Sequence, residues 1–351
     1  MKRVGPPLVL AVALIGCAGP TGAPQCATAA PSAACTYVTI PRGATLDATI
    51  DTLVAHGIIK RPWPFSLYAR LRGLRNSMKS GTYGFAAGGR TKWREVVDAL
   101  ARGRGAMVRF TIPEGLMLNE IADLAVAQFG VSRDSFLAAT RDPGAIHDLD
   151  LPASAQSLEG YLYPTTYTIR AHPGAGDLVA AMIAEFRMHW LPEWQPLLDS
   201  LGMTRYQVVT LASIIQAEVR YAPDRPYVSA VYHNRLKRGM LLQADPTVIY
   251  AEGRRLRRVY ERNLLVRSPY NTYLHPGLPP GPICQPDSAS LHAALFPAAV
   301  PYLYFVAQPD GKHIFSVTYA DHVKAIETVH RLQRAARAPR TADRQHQTPL
   351  Q

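Results

Sequence analysis

The 351-residue chain lacks the features that define several large protein classes. No stretch approaches the ~20 apolar residues a membrane-spanning helix requires, which excludes a polytopic membrane protein. Glycine and proline number 25 and 29, well short of a collagen-like or low-complexity composition. Cysteine is scarce, at four, and neither these nor the 11 histidines stand at zinc-ligand or HExxH spacing. No metal and no cofactor is therefore expected. Acidic residues are the minority charge, 26 against 38 Lys and Arg, for a net +12. That balance invites a nucleic-acid reading, but the densest clusters do not support it. They are Arg254, Arg255, Arg257 and Arg258, and the tail holding Arg331, Arg334, Arg337, Arg340 and Arg344. Neither has the interleaved aromatics of a base-stacking platform. They read as a solvated loop and a frayed tail, with residual attraction to polyanions. The rest is ordinary globular composition, 48% hydrophobic and 18% charged. It is enough to bury a core and to form two or three domains.

The N-terminus carries an address. Lys2 and Arg3 precede an unbroken apolar run from Leu8 to Ile15, too short for a stable membrane anchor, which reads as a cleaved export signal. The run ends Leu14-Ile15-Gly16-Cys17, which resembles the lipobox of bacterial lipoproteins. The resemblance implies a lipidated Cys17 and a location at the extracytoplasmic side of the cell membrane. An ordinary cleaved signal or a short uncleaved anchor remains open. Residues 18–36, rich in Ala, Pro, Gly, Thr and Ser, read as a flexible tether. Cys26 and Cys35 lie in or near it, where an oxidising compartment allows them to pair. Cys284 stands alone and reads as a buried, inert thiol.

From Tyr37 the patterning becomes periodic. A strand over Tyr37–Ile40 leads through Pro41-Arg42-Gly43 into a helix over 45–56, with Leu46, Ile50, Leu53 and Val54 at helical spacing. A second helix is expected over 64–74, a strand over 80–85 and a helix over 93–102. This strand–helix–helix–strand order resembles the LysM-like module that binds glycan chains; a small α+β packing unit fits the pattern nearly as well. Ile112-Pro113-Glu114-Gly115, leading into a helix over 119–128, repeats the theme weakly. The expected architecture is α+β: a small LysM-like domain over 37–106, a larger mixed α/β catalytic domain over 107–330, and a basic disordered tail over 331–351.

Candidate chemistry lies in Gln207–Arg220, which has no Gly or Pro and is long enough for about four helical turns. Leu211, Ile214 and Ile215 share a stripe with Glu218, so the carboxylate is aimed inward. There it must pair with a cation or have its pKa raised, and a raised pKa suits a general acid. Downstream, Val231-Tyr232-His233-Asn234-Arg235-Leu236, Leu242-Gln243-Ala244-Asp245-Pro246-Thr247, Ser268-Pro269-Tyr270-Asn271-Thr272-Tyr273 and Pro301-Tyr302-Leu303-Tyr304 place polar and aromatic groups among Pro and Gly turns. Such groups supply stacking faces and paired donors and acceptors for sugar hydroxyls and N-acetyls.

These runs, with Glu159-Gly160-Tyr161-Leu162-Tyr163-Pro164, resemble the endolytic murein transglycosylase (YceG-like) family over most of residues 37–330. The resemblance implies non-hydrolytic cleavage of the β-1,4 bond after N-acetylmuramic acid within peptidoglycan strands, leaving 1,6-anhydro ends, and with it a role in terminating strand elongation. Glu218 matches the family's catalytic Glu. Asn234, Gln243, Asp245, Tyr270, Asn271, Thr272, Tyr273 and Tyr304 are implied as substrate-binding. Peptidoglycan, and with it peptidoglycan synthases, are the implied partners; nucleic acid is not. Gln216 departs from the family, which commonly has Glu there. On a helix it lies about 160° from Glu218 and so faces elsewhere. Two alternatives stay open. A hydrolytic muramidase would need a second carboxylate, for which Asp245 is the candidate, although Asp-Pro-Thr also suits a helix cap. A wall-binding lipoprotein without activity would keep Glu218 as a structural ion pair.

Overall fold

A computed structural model describes residues 35–337 apart from 42, 87–90, 104, 106 and 257. The expected signal, the lipobox with Cys17, nearly all of the tether, Cys26 and residues 338–351 lie outside the described residues. Cys35 is disulfide-bonded. It already belongs to a strand, so regular structure begins within the expected tether. The chain divides into two compact units, one up to Arg109 and one from Phe110.

In the first unit, β1 (Cys35–Ile40) is followed by α1 (Leu46–Ala55), α2 (Pro62–Leu71), the single turn α3 (Leu74–Ser77), β2 (Gly81–Ala86) and α4 (Trp93–Arg102). β1 and β2 pair antiparallel with Val38 opposite Tyr83 and Thr39 opposite Thr82. The two threonine hydroxyls bond across the strands at 2.9 Å. Alternation puts Val38, Ile40, Tyr83 and Phe85 on one buried face, and Leu46, Ile50, Leu53, Phe65, Val96 and Leu100 close over it. The order is the strand–helix–helix–strand expected.

The second unit begins in β3 (Met107–Thr111), which forms a two-stranded sheet with β4 (Thr166–Arg170). Between these strands lie α5 (Leu118–Phe129), α6 (Arg133–Ala139) and α7 (Pro143–Asp148). Then follow α8 (Ala175–His189), α9 (Gln195–Leu201), α10 (Arg205–Glu218), α11 (Arg225–Lys237), α12 (Asp245–Ala251) and α13 (Ser288–Leu295). The antiparallel hairpin β5 (Tyr304–Ala307) and β6 (His313–Ser316) precedes α14 (Tyr319–Arg337). That last helix continues past 330, so residues 331–337, expected within a disordered tail, are helical. The weak repeat is visible at the entry to α5: Gly115, like Gly43 before α1, takes the left-handed conformation that glycine tolerates.

The core of this unit surrounds α10. Thr204 and Gln207 form a reciprocal capping box at its start, with Thr204 Oγ1 accepting from Gln207 N–H and Gln207 Oε1 accepting from Thr204 N–H. From Val208 to Ile215 every residue is buried. The helix is therefore enclosed on all sides, not only along the expected stripe.

Candidate active site

Glu218 is the last residue of α10, two residues before the expected helix end, and Val219 turns away in extended conformation. The residue is half-buried. Its Oε2 is sealed from solvent and has no hydrogen-bond partner among the described residues, whereas Oε1 is not sealed. No Lys or Arg pairs with it among the described residues, so the structural ion pair is absent. Burial, and after it the charge of Asp245, pushes its carboxyl up to about 7 from the ordinary 4.5. A carboxylate with one oxygen enclosed and unsolvated is the costlier form, so the proton is retained near neutrality.

Three chain segments meet around it. Asp245, the first residue of α12, is exposed, and its Oδ1 accepts from Tyr273 Oη at 2.6 Å. It caps no backbone N–H of that helix. Gln243 is also exposed and sits at φ 49°, a left-handed position that turns the chain into α12. Its N–H donates to Thr272 O at 3.1 Å. Arg235 of α11 is buried, with Nε donating to Leu303 O and Nη1 to Leu241 O, Leu242 O and Gln243 Oε1. Its guanidinium lies 5.3 Å from the centre of the Tyr304 ring. Tyr232 and Tyr273 are both within electrostatic reach of Glu218, Asp245 and Arg235. Burial first, and after it the negative charges of Glu218 and Asp245, hold both phenols protonated against the opposing charge of Arg235.

The structure thus gathers Glu218, Gln243, Asp245, Tyr273 and Tyr304 into one neighbourhood, while four other expected sugar-facing residues have different tasks. Asn271 and Thr272 are fully buried and cannot face a sugar. Asn271 Nδ2 donates to Leu264 O and Val266 O, and its Oδ1 accepts from Tyr273 N–H. Thr272 Oγ1 accepts from Ala244 N–H and bonds Thr247 Oγ1. Together they clamp the loop carrying Tyr273 onto the turn carrying Asp245. Asn234 Nδ2 donates to Val300 O and Tyr302 O, and so holds the approach to β5. Tyr270 belongs to a different place, a cavity of about 300 Å³ lined also by Glu159, Tyr206 and Tyr250.

Sequence reasoning did not single out Glu159, Tyr232 or Arg235. Glu159 is 5% exposed and fully bonded: Leu118 N–H donates to both oxygens at 3.2 Å, Gln285 Nε2 to Oε1 at 2.5 Å and Tyr250 Oη to Oε2 at 3.4 Å. Burial outweighs these bonds and pushes it up to about 8. Gly160 makes the packing possible, because at φ 85° a Cβ there would stand 2.5 Å from Pro282 Cβ. A signal existed in the lone acid between Leu158 and the aromatic run that follows it. A wider groove of about 650 Å³ runs past Tyr206, Thr210 and His233, and Glu218 lines neither hollow.

The remaining expectations concern outlying residues. Gln216 faces away from Glu218: its Oε1 accepts from Asp287 N–H and Ser290 Oγ at the start of α13. Arg255 lies in an exposed loop, as expected, and from there forks onto Glu120 with two 2.7 Å bonds. Cys284 is a buried free thiol whose Sγ donates to Ser213 O, and burial pushes its pKa upward. Among the described residues no group of acids, His and Cys could hold a metal.

Residues 38–328 match the YceG-like family. The chain belongs to that family. It is 31% identical over 304 residues to the endolytic murein transglycosylase of Bacillus subtilis, an alignment covering 83% of each chain. It is 28% identical over 318 residues to the endolytic murein transglycosylase of Streptococcus pneumoniae, covering 82% of this chain and 57% of that longer protein. A crystal structure of a yceG-like protein from Listeria monocytogenes superposes with a TM-score of 0.58 at 31% identity, over 84% of this chain and 99% of that one.

Proposed function

We propose that the chain is a peptidoglycan lytic transglycosylase that cuts glycan strands internally, with Glu218 as both acid and base. The observation carrying this reading is the Glu218 carboxyl, protonated near neutrality, with one oxygen sealed and bare, the other not sealed, and the Asp245 charge within electrostatic reach. Two relatives named endolytic murein transglycosylase support the substrate class. In the reaction, Glu218 gives its proton to the glycosidic oxygen as the bond to C1 of N-acetylmuramic acid breaks. The sugar's C6 hydroxyl then attacks C1, and the Glu218 carboxylate takes the hydroxyl proton. One C–O bond is exchanged for another, no water is consumed, and the acid returns to its starting state. Asp245 and Tyr273 contribute a fixed polar wall, and the Asp245 charge adds to burial in keeping the proton on Glu218.

The rest of the reading concerns place. The first unit would bind glycan in the manner of a LysM module, and a lipid on Cys17 would tether the enzyme to the extracytoplasmic face of the membrane. There it would meet strands as synthases release them, and cutting would end their growth. The decisive experiment is mass spectrometry of strand ends after digestion of purified peptidoglycan. Wild type should yield 1,6-anhydro ends, and Glu218→Gln should lower their rate of formation by about 10²–10⁴-fold with the fold intact. Reducing ends would instead indicate hydrolysis with Asp245 as the second acid. Undiminished anhydro product from the variant would remove Glu218 from the chemistry.

A further inference from the structure

Arg235 is the unusual cation of the second unit. It is 7% exposed, yet no carboxylate pairs with it among the described residues. Its Nε and Nη1 are spent on neutral acceptors: three backbone carbonyls and the Gln243 side-chain oxygen. Nη2 makes no hydrogen bond with any described residue, and it is not among the sealed polar atoms. The guanidinium is thus locked along two edges and presents its third.

Burying a full positive charge without a counter-ion is costly, and an arriving anion removes the cost. The surroundings strengthen that preference. His322 stacks on Tyr304 with ring centres 5.2 Å apart, and its Nδ1 is sealed without a partner. Burial, and after it the Arg235 charge, keeps His322 neutral. Tyr304 covers one face of the guanidinium, which fixes its plane. Gln243, exposed and held in its left-handed turn, stands at the rim.

We propose that the free Nη2 edge of Arg235, framed by Gln243 and Tyr304, is an oxyanion subsite. Its ligand is a carboxylate of the peptide that the glycan strand carries. The assignment rests on the murein reading above. The hydroxyls and N-acetyl groups of such a strand are neutral, so its anions are the peptide carboxylates and any terminal pyrophosphate. Tyr273 is within electrostatic reach of both Glu218 and Arg235, so an engaged carboxylate would register the sugar backbone against the acid. Arg235 then acts as a specificity-determining residue and takes no part in proton transfer.

The test compares two polymers made from one peptidoglycan preparation: native strands, and strands whose peptide carboxylates have been converted to primary amides. For the full-length wild-type protein, amidation should raise KM about tenfold, the worth of one charge-assisted hydrogen bond, with a much smaller change in kcat. Arg235→Lys keeps the charge but loses the fork, and should erase most of that preference. Because Arg235 also ties three carbonyls, a second variant guards against misfolding. Gln243→Glu, at an exposed position, supplies an internal carboxylate and should erase the preference as well. Equal KM for the two polymers with wild type would overturn the subsite. It would also overturn it if dependence lay on a terminal pyrophosphate, which amidation leaves intact. A preference retained in both variants would do the same. Failure to cleave either polymer would instead strike the murein reading, and the subsite with it.

Discussion

Among the described residues of the larger unit, two carboxyl groups are pushed well above the ordinary carboxylate range, and they are enclosed differently. Glu159 is held by a backbone N–H, an amide and a phenol. Glu218 is held by nothing, with Oε2 enclosed and bare. Titration alone would rank them the other way round, since Glu159 is pushed up to about 8 and Glu218 to about 7. The contrast teaches that a displaced pKa marks burial, whereas missing hydrogen bonds mark a group kept available. Glu159 joins the start of α5, Gln285 and α12 through its partners, which is the work of a structural node. Glu218 joins nothing through hydrogen bonds, and its Oε1 is not sealed.

The largest effect that would sharpen this contrast is on stability. Glu159→Ala strips three donors of their acceptor inside the protein and should cost about 3 kcal/mol, read from denaturant midpoints at constant m-value. A variant as stable as wild type would break the comparison.

Next comes the pH dependence of Glu218. Its folded-state pKa lies above the ordinary 4.5, so the folded protein holds the proton more tightly than the unfolded chain. That contribution is complete below about 4.5 and is lost as pH rises through about 7. Glu218→Gln, which cannot ionise, should therefore nearly match wild type below pH 4.5 and exceed it by about 3 kcal/mol at pH 8. Thermal melts of both proteins across that range would show it. A gap that is constant with pH would mean that Glu218 is not the strained acid inferred here. The smallest effect is expected at Gln216. Both its partners are donors to Oε1, and a carboxylate accepts from them equally well. Gln216→Glu should shift stability by less than about 1 kcal/mol and leave the rate of anhydro-end formation within about twofold. A large gain in rate would reassign that position to the chemistry.

Much of the fold could be read from periodicity. α4 has its expected bounds, and β1, α1, β2 and α5 lie within a few residues of theirs, because each apolar pattern matches the period of its element and the flanking Gly or Pro ends it. The helix carrying Glu218 was readable for the same reason, but the argument from one apolar stripe was not, since α10 is buried on every side. The polar residues of the downstream loops divided less predictably. Asp245 and Tyr273 meet each other across 28 residues of sequence, while Asn271 and Thr272, their neighbours in the same run, turn inward to hold the loops in place. Adjacent residues in an irregular loop have no period to tell which one faces out.

Local chemistry along the chain was enough to determine the helices, the strands, the family and an acid at the end of α10, since propensity, capping and motif order are properties of short segments. Tertiary structure alone decided which acid stays unbonded, which arginine stands without a counter-ion and which amides became clamps. Hydrogen-bond satisfaction depends on groups that arrive from distant segments, and no local pattern encodes their arrival.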